Sequence, residues 1–360
     1  MRVAYDAAPL LNPLTGVGHY AAELHRALQA TEGGPALRLF AVGRQRSAPE
    51  GLPVHRLKVP ARAAVAAWEY SRFPPGEWLA GRCDVVHGTN FWVPPLQRRN
   101  GVVTIHDLTF LLHPEWCTPP VRRYRWIVPK VLGRSAIVVT PSETVAAQVA
   151  GELSFPRDRI VVTPEGVRTA GAGAGAEGRA AARGDYALFI GAREPRKNLD
   201  RLLRAFQGLG DLGLGLVIAG PAGWGESGLH EGVNLLANGV RVTVPGYLSD
   251  ADLAATLRAA QVFVFPSLYE GFGLPPLEAM AARVPVVASR AGSLPEVLGD
   301  APFWCDPLDE TSIAEAIRRA VTDTGARVSA VDRGRVRAAG YRWSETARLT
   351  IEAYRQAASA

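Results

Sequence analysis

Short apolar runs rich in valine and isoleucine alternate with stretches of helical period along almost the whole chain, and this alternation limits the fold more than any other feature. In the first half, strands are expected at Arg2–Tyr5, Val85–His87, Val102–His106, Ala136–Thr140 and Ile160–Thr163. In the second half they are expected at Tyr186–Ile190, Leu216–Ala219, Val240–Val244, Val262–Phe265 and Pro285–Ala288. Helical patterns cover Gly18–Ala30, Val121–Leu132, Glu143–Leu153, Leu199–Gln207, Ala251–Ala259 and Ser312–Ala320. A strand apolar on both faces must be covered on both, and intervening helices supply that cover in parallel, doubly wound α/β sheets. A chain of 360 residues is too long for one such core and suits two.

The tract Thr169–Gly184 alternates glycine and alanine, offers no apolar face of either period, and reads as a linker. It separates a first domain over 1–168 from a second over 185–340. Residues 341–360 then carry a last helix from Trp343, with Ser344 as its expected N-cap.

No apolar run approaches the roughly 18 residues needed to span a bilayer, and the N-terminus lacks the pattern of a secretory signal. Cys83, Cys117 and Cys305 are too far apart to form metal-ligand spacing, so a reduced, cytoplasmic protein without structural zinc or disulfides is expected. Residues 1–170 hold 20 Lys/Arg against 13 Asp/Glu, whereas 171–360 hold 20 against 21. The positive excess therefore lies wholly in the first half. It reads either as a solvated surface or as a face for an anionic partner such as lipid head groups. Nucleic acid is not expected.

The strongest local signal is the segment Phe265 to Ala281, in which a buried strand ends, a loop with Gly271 and Gly273 follows, and Pro275 and Pro276 open a helix. Glycines permit close backbone approach, and free N–H groups at a helix start favour a phosphate or diphosphate. Glu270 in the loop and Glu278 about one turn into the helix are suited to accept hydrogen bonds from sugar hydroxyls. A second signal is Gly191-Ala-Arg-Glu-Pro-Arg-Lys-Asn198. Arg196 and Lys197 precede a helix, where the macrodipole disfavours cations, so a diphosphate there gives the pair a purpose.

Other motifs are weaker. Gly16-Val-Gly-His-Tyr-Ala21 fits a loose dinucleotide fingerprint but lies about ten residues beyond its strand, which weakens an NAD reading. Asp250-Ala-Asp252 matches a metal-binding D-x-D, yet its setting, Ser-Asp-Ala-Asp-Leu, is that of a helix cap. His106 and Asp107 are adjacent in a strand, point to opposite faces and cannot form a relay.

Together these segments resemble the retaining glycosyltransferase family 4, of GT-B fold. The resemblance rests on Glu-Pro-Arg-Lys-Asn at 194–198 with Glu270 and Glu278 eight residues apart. It is supported by Thr15–Tyr20, by Thr104-Ile-His-Asp-Leu108 and by Gly246–Asp252. It implies two doubly wound Rossmann-like domains facing a central cleft, the donor held by the second and the acceptor by the first. It also implies roles for individual residues. Arg196 and Lys197 hold the donor diphosphate, and Glu270 contacts the transferred sugar beside Gly271, Phe272, Gly273 and Leu274. Glu278 takes the ribose hydroxyls, Gly191 lies at the donor, Gly16 and Gly18 approach donor or acceptor, and His106 faces the reacting sugar. One departure is visible: many relatives have Asn-Gly-Val at the end of the first domain, where this chain has Glu165-Gly-Val167.

The expected activity is metal- and cofactor-free transfer of a hexose, mannose from GDP-mannose foremost, from a nucleotide-sugar donor to a hydroxyl of a glycan, glycolipid or small-molecule acceptor. Two alternatives remain: a nucleotide-sugar 2-epimerase of the same architecture, and a non-catalytic nucleotide-sugar binding module. Val121–Arg134 carries five cations and no acid. It reads as a basic surface helix with Tyr124 and Ile127 inward, or as a peripheral contact with an anionic membrane at the inner face.

Overall fold

The computed structural model describes residues 1–360 except 12–13, 15, 44–52, 58–62, 65–66, 69–70, 72, 74, 99, 169–178, 183, 225–230 and 237. The chain divides into two compact units, Met1–Gly166 with Arg342–Ala360, and Val167–Tyr341. Most of the expected linker, 169–178 and 183, lies outside the described residues, as does Thr15 of the glycine loop.

The first unit contains β1 (Arg2–Asp6), β2 (Ala36–Val42), β3 (His55–Leu57), β4 (Val85–Gly88), β5 (Gly101–Thr104), β6 (Ser135–Thr140) and β7 (Ile160–Val162). They form one sheet in the order β3-β2-β1-β4-β5-β6-β7, parallel throughout. β4, β5 and β6 are buried along their whole length, which is what their unbroken apolar runs require. One face is covered by the helix Gly16–Ala30, through Tyr20, Ala21, Leu24 and Leu28, and by the last helix, Trp343–Ala358, through Ala347, Ile351 and Tyr354.

A buried polar chain fastens that last helix to the sheet. Tyr354 Oη lies 2.7 Å from His87 Nδ1, His87 Nε2 lies 2.9 Å from Thr104 Oγ1, and Thr104 Oγ1 lies 3.0 Å from Tyr20 Oη. Burial, followed by the nearby His106, pushes His87 down to about 3, so its ring is neutral and has one donor and one acceptor nitrogen. The N-cap of this helix is Arg342, not Ser344, which lies inside the first turn. Packing overrides capping preference here. A side chain on Gly166 would overlap the Trp343 backbone nitrogen and indole, so the tryptophan is seated directly on that glycine and starts the helix.

The basic stretch is two helices rather than one, Pro119–Arg122 and Tyr124–Leu132, parted at Arg123. Val128, Val131 and Leu132 are buried, and Tyr124 and Ile127 pack half-buried against the same core. Trp126 faces outward at 63% exposure with the Arg125 guanidinium 4.7 Å over its ring.

The second unit contains β8 (Tyr186–Ile190), β9 (Gly215–Ala219), β10 (Gly232–Leu235), β11 (Arg241–Gly246), β12 (Val262–Phe265), β13 (Val286–Ser289) and β14 (Phe303–Cys305). Their order is β10-β11-β9-β8-β12-β13-β14, with only β10 antiparallel to its neighbour. The helix Asp250–Arg258 opens with a reciprocal cap. The Asp252 N–H donates to Ser249 Oγ at 3.1 Å, and that hydroxyl donates to Asp252 Oδ2 at 2.8 Å. Among the described residues, no helix is long and apolar enough to cross a membrane.

Replacing Tyr354 with Phe leaves His87 Nδ1 buried without its partner, at an expected cost of about 1–3 kcal/mol. Tyr354→Phe should therefore lower the thermal midpoint while keeping the far-ultraviolet circular dichroism of the wild type. An unchanged midpoint would show that the contact adds nothing.

Candidate active site

The second sheet reverses its strand order between β8 and β12, and open parallel sheets bind ligands beyond their carboxyl ends at such a reversal. After β8, Gly191 leads to the turn Pro195–Lys197. Asn198, left-handed at φ 60°, then starts the helix Leu199–Gln207. The Asn198 amide donates to the Pro266 and Pro307 carbonyls at 3.0 and 2.6 Å, tying this turn to the loop after β12. That loop is held from behind by Ser293, whose N–H donates to the Glu270 carbonyl and whose hydroxyl lies 3.1 Å from the Glu270 and Phe272 carbonyls. Gly292, at φ 54°, is required beside it, since a side chain would strike the Glu270 backbone.

These turns bring opposite charges together. Lys197 Nζ donates to Glu270 Oε1 at 2.6 Å, and Arg196 Nη1 donates to Oε2 at 2.8 Å. Arg196 also donates through Nε to Glu194 Oε2 at 3.1 Å, and its Nη1 lies 3.3 Å from the Tyr269 carbonyl. Lys197 and Glu270 are both buried, and the ammonium lies 4.6 Å from the centroid of the Phe265 ring. Burial alone would raise the Glu270 pKa, but the two cations outweigh it and hold the carboxyl at about 2. Burial, then Arg196, lower the Lys197 pKa against the pull of Glu270. With Glu194 included, the four charges balance.

The loop's helix, Leu274–Ala281, starts at Gly273 with φ 113°. The expected row of free helix N–H groups is shorter than its position implied. Pro275 and Pro276 occupy its second and third places and carry no N–H, leaving Leu274 and the loop amides as donors. Glu278 accepts from Arg168 Nε at 2.9 Å, and Arg168 Nη1 reaches Asp250 Oδ1 at 3.4 Å. Sequence spacing gave no signal for Arg168, 110 residues from its partner. It also passed over Arg193, whose Nη1 is buried without a hydrogen-bond partner.

The first sheet reverses between β1 and β4, and a second group of side chains gathers at that end. Asp6 ends β1 and is 5% exposed. Its Oδ1 accepts the Ala8 N–H at 2.9 Å. Burial pushes its carboxyl up to about 7, opposed only by that N–H. The Thr89 hydroxyl donates to the Asp6 carbonyl at 2.9 Å, and the Thr89 carbonyl accepts from His106 Nε2 at 2.9 Å. The His106 ring stands edge-on to Tyr20 at 4.8 Å, and its Nδ1 lies 3.8 Å from Glu165 Oε1. Asp107 turns away to cap the Thr109 N–H at 2.9 Å, so the carboxylate beside His106 is Glu165. Of the two early glycines, Gly18 is enclosed by Leu14 and the Pro9 carbonyl, while Gly16 faces open space.

Comparison with known proteins agrees with this architecture. Residues 15–166 match the glycosyl transferase 4-like domain, and 177–337 match the glycosyl transferases group 1. The chain is 31% identical to O-antigen chain mannosyltransferase B of Escherichia coli, covering 99% of this chain and all of that one. The chain belongs to glycosyltransferase family 4. A second relative, the MMP alpha-(1->4)-mannosyltransferase of Mycolicibacterium hassiacum, is 33% identical over 67% of this chain and 60% of its own. Among solved structures, sucrose-phosphate synthase from Thermosynechococcus elongatus superposes with a TM-score of 0.73 at 19% identity, covering 99% of this chain and 98% of that one. The fold is thus GT-B, and this family 4 enzyme is a nucleotide-sugar glycosyltransferase of glycan synthesis.

Asp6 and Glu270 give stability opposite dependences on pH. The Asp6 carboxyl sits at about 7 when folded against 3.8 in the free residue. Between those values only the folded chain holds the proton, so stability falls by about 1.4 kcal/mol per unit as pH rises. Glu270 is held at about 2 against 4.5, so its contribution is present above that upper value and is lost as pH falls. In urea titrations, Asp6→Asn should match the wild type near pH 4 and exceed it above pH 7, by about 4 kcal/mol at most. Equal stability at pH 8 would mean that Asp6 ionises without cost.

Proposed function

We propose that the enzyme transfers mannose from GDP-mannose to an acceptor hydroxyl with retention of anomeric configuration and without a metal ion. The observation that carries this reading is the buried Lys197–Glu270–Arg196 arrangement at the strand-order reversal of the second sheet. A donor diphosphate competes with Glu270 for Lys197 and Arg196, and it satisfies the orphan Arg193 Nη1. Glu270, released from its cations, then accepts hydrogen bonds from hydroxyls of the sugar. As the bond from sugar C1 to the phosphate oxygen breaks, charge grows on the leaving diphosphate. The cations and the amides of Gly271, Phe272, Gly273 and Leu274 offset it, while Gly191 allows close approach. The acceptor oxygen forms the new bond to C1 on the same face, and its proton passes to the leaving phosphate oxygen. Glu278, oriented by Arg168, takes the ribose hydroxyls. Gly16 and His106 belong to the acceptor side. Metal independence is supported by the engagement of Asp250 with Arg168 and of Asp252 in a helix cap. The choice of mannose is supported by the two mannosyltransferase relatives.

Turnover of GDP-mannose with methyl α-mannoside as acceptor, in excess EDTA, tests these points together. Full activity is expected in chelator, with an α-anomeric product by NMR. Lys197→Ala and Arg193→Ala should each lose about 100-fold in kcat, the scale of removing one donor to a developing oxyanion. Glu278→Gln should instead weaken GDP binding in calorimetry. Activity that returns only with Mg²⁺ or Mn²⁺, or wild-type turnover in both cation variants, would refute the assignment.

A peripheral, cytoplasmic-face membrane contact is the second part of the proposal. It is supported by the outward row Arg122, Arg123, Arg125, Trp126 and Lys130. Each cation near an anionic leaflet contributes about 1 kcal/mol, screened by salt. The protein should sediment with phosphatidylglycerol vesicles and not with phosphatidylcholine ones. Replacing Arg122, Arg123 and Arg125 together with Ser should abolish this. A wild type that stays in the supernatant at low salt would exclude the contact.

A further inference from the structure

The first unit holds a cavity that sugar transfer does not use. Its sheet ends at one edge in β2 and β3, and an open cavity of about 610 Å³ lies between these strands and the helix Gly16–Ala30. That volume is within the range of about 300–1,000 Å³ usual for small-molecule sites. Side chains alternate between the faces of a strand. Leu37, Leu39 and Val54 face the core beneath the helix, and Leu37 and Val54 are only half-buried there. Arg38 points to the other face, where its guanidinium lies against Gly81. His55 is in register with Phe40, which packs on that other face as well. The floor of the cavity is thus aliphatic, and among the described residues no charged side chain turns into it.

The polar wall comes from the helix. His25 and Gln29, four residues apart, share one helical face and both line the cavity. His25 is 7% exposed, with its ring 5.9 Å from that of Tyr5, whose hydroxyl already donates to the Ala21 carbonyl at 2.8 Å. Among the described residues neither His25 nor Gln29 has a hydrogen-bond partner. A side chain as buried as His25 ordinarily has one. Burial, followed by Arg26, lowers the His25 pKa, so the ring is neutral and has one donor and one acceptor nitrogen. The Gln29 amide adds an acceptor oxygen and two N–H donors.

An aliphatic floor covers the face of a flat ring, and neighbouring donors and acceptors pair with its edge. A glutamine amide engages the edge of adenine in this bidentate way. A phosphate or carboxylate would find no lysine or arginine to receive it, and a sugar would turn hydroxyls toward a floor that bonds none. We infer that this cavity binds an uncharged heteroaromatic ring of the nucleobase type, with Leu37, Leu39 and Val54 against its face and His25 and Gln29 on its edge. The site is separate from the Lys197–Glu270–Arg196 arrangement of the second unit, and no bond is made or broken in it. The inference goes beyond the transferase reading and does not depend on it.

The test is NMR on the full chain with labelled histidine rings, titrated with adenine, hypoxanthine and cytosine, and with benzoate as an anionic control. GDP is kept in excess, so that it holds any site for a nucleotide in the second unit. At least one base should shift the His25 ring signal, assigned by its loss in His25→Phe, and leave that of His87 in place. Gln29 is exposed at the rim, so Gln29→Ala keeps the fold and should weaken that base about tenfold while leaving GDP affinity unchanged. His25→Phe, which fills the same space without a polar edge, should weaken it by at least as much. A His25 signal that no base moves, undiminished affinity in both variants, or benzoate bound as tightly as the bases would overturn the inference.

Discussion

Glu270 is buried between a lysine and an arginine, and the carboxyl edge of the second sheet depends on that contact. Taking an ammonium out of water is costly unless a counter-charge goes with it. Glu270 supplies that charge, and the Ser293 contacts fix the loop that carries it. Asn198 then locks the cation-bearing turn against the same loop. Each part is short and local, yet their convergence comes from the sheet, whose reversal between β8 and β12 puts both loops at one edge.

The two sheets solve the same problem with opposite electrostatics. At the reversal in the second unit, cations and acids are matched in number and touch one another. At the reversal in the first, Glu165 lies 3.8 Å from His106, whose ring stands edge-on to Tyr20, and among the described residues neither Asp6 nor Glu165 is paired with a lysine or arginine. A site of paired charges favours an anion that can exchange with the resident carboxylate. The duplicated architecture therefore gives two sheet ends of unlike electrostatics from one fold plan.

How much of this was legible in the sequence follows from the range of each interaction. Central strands such as β6 and β12 announce themselves because burial on both faces demands unbroken apolar residues. β2, β3, β10 and β14 did not, being edge strands, very short, or interrupted by polar residues such as Arg38. Thr324–Ala339 was missed because it buries Ala330, Gly334 and Ala338, small residues that leave little apolar period. At the carboxyl edge of the second sheet, motif residues were visible because loop chemistry is local. Arg168, Arg193, Ser293 and the His106–Glu165 pairing were not, since each is defined by a contact across the fold. The Ser344 cap failed for a related reason: where Trp343 must sit was decided by Gly166, far away in the chain.

The last helix has a consequence for how the protein is made. Tyr354 joins His87 across 267 residues, and Ala347, Ile351 and Tyr354 fill the core of the first unit. The first 166 residues leave the ribosome without that helix, and the apolar face it covers stays open until the entire second unit has been translated. Strand edges and apolar faces exposed during synthesis are where chains aggregate and where chaperones bind. The first unit is thus the earlier to emerge and the later to be completed. Ribosome-bound nascent chains ending anywhere between its two segments should remain clients of the folding machinery.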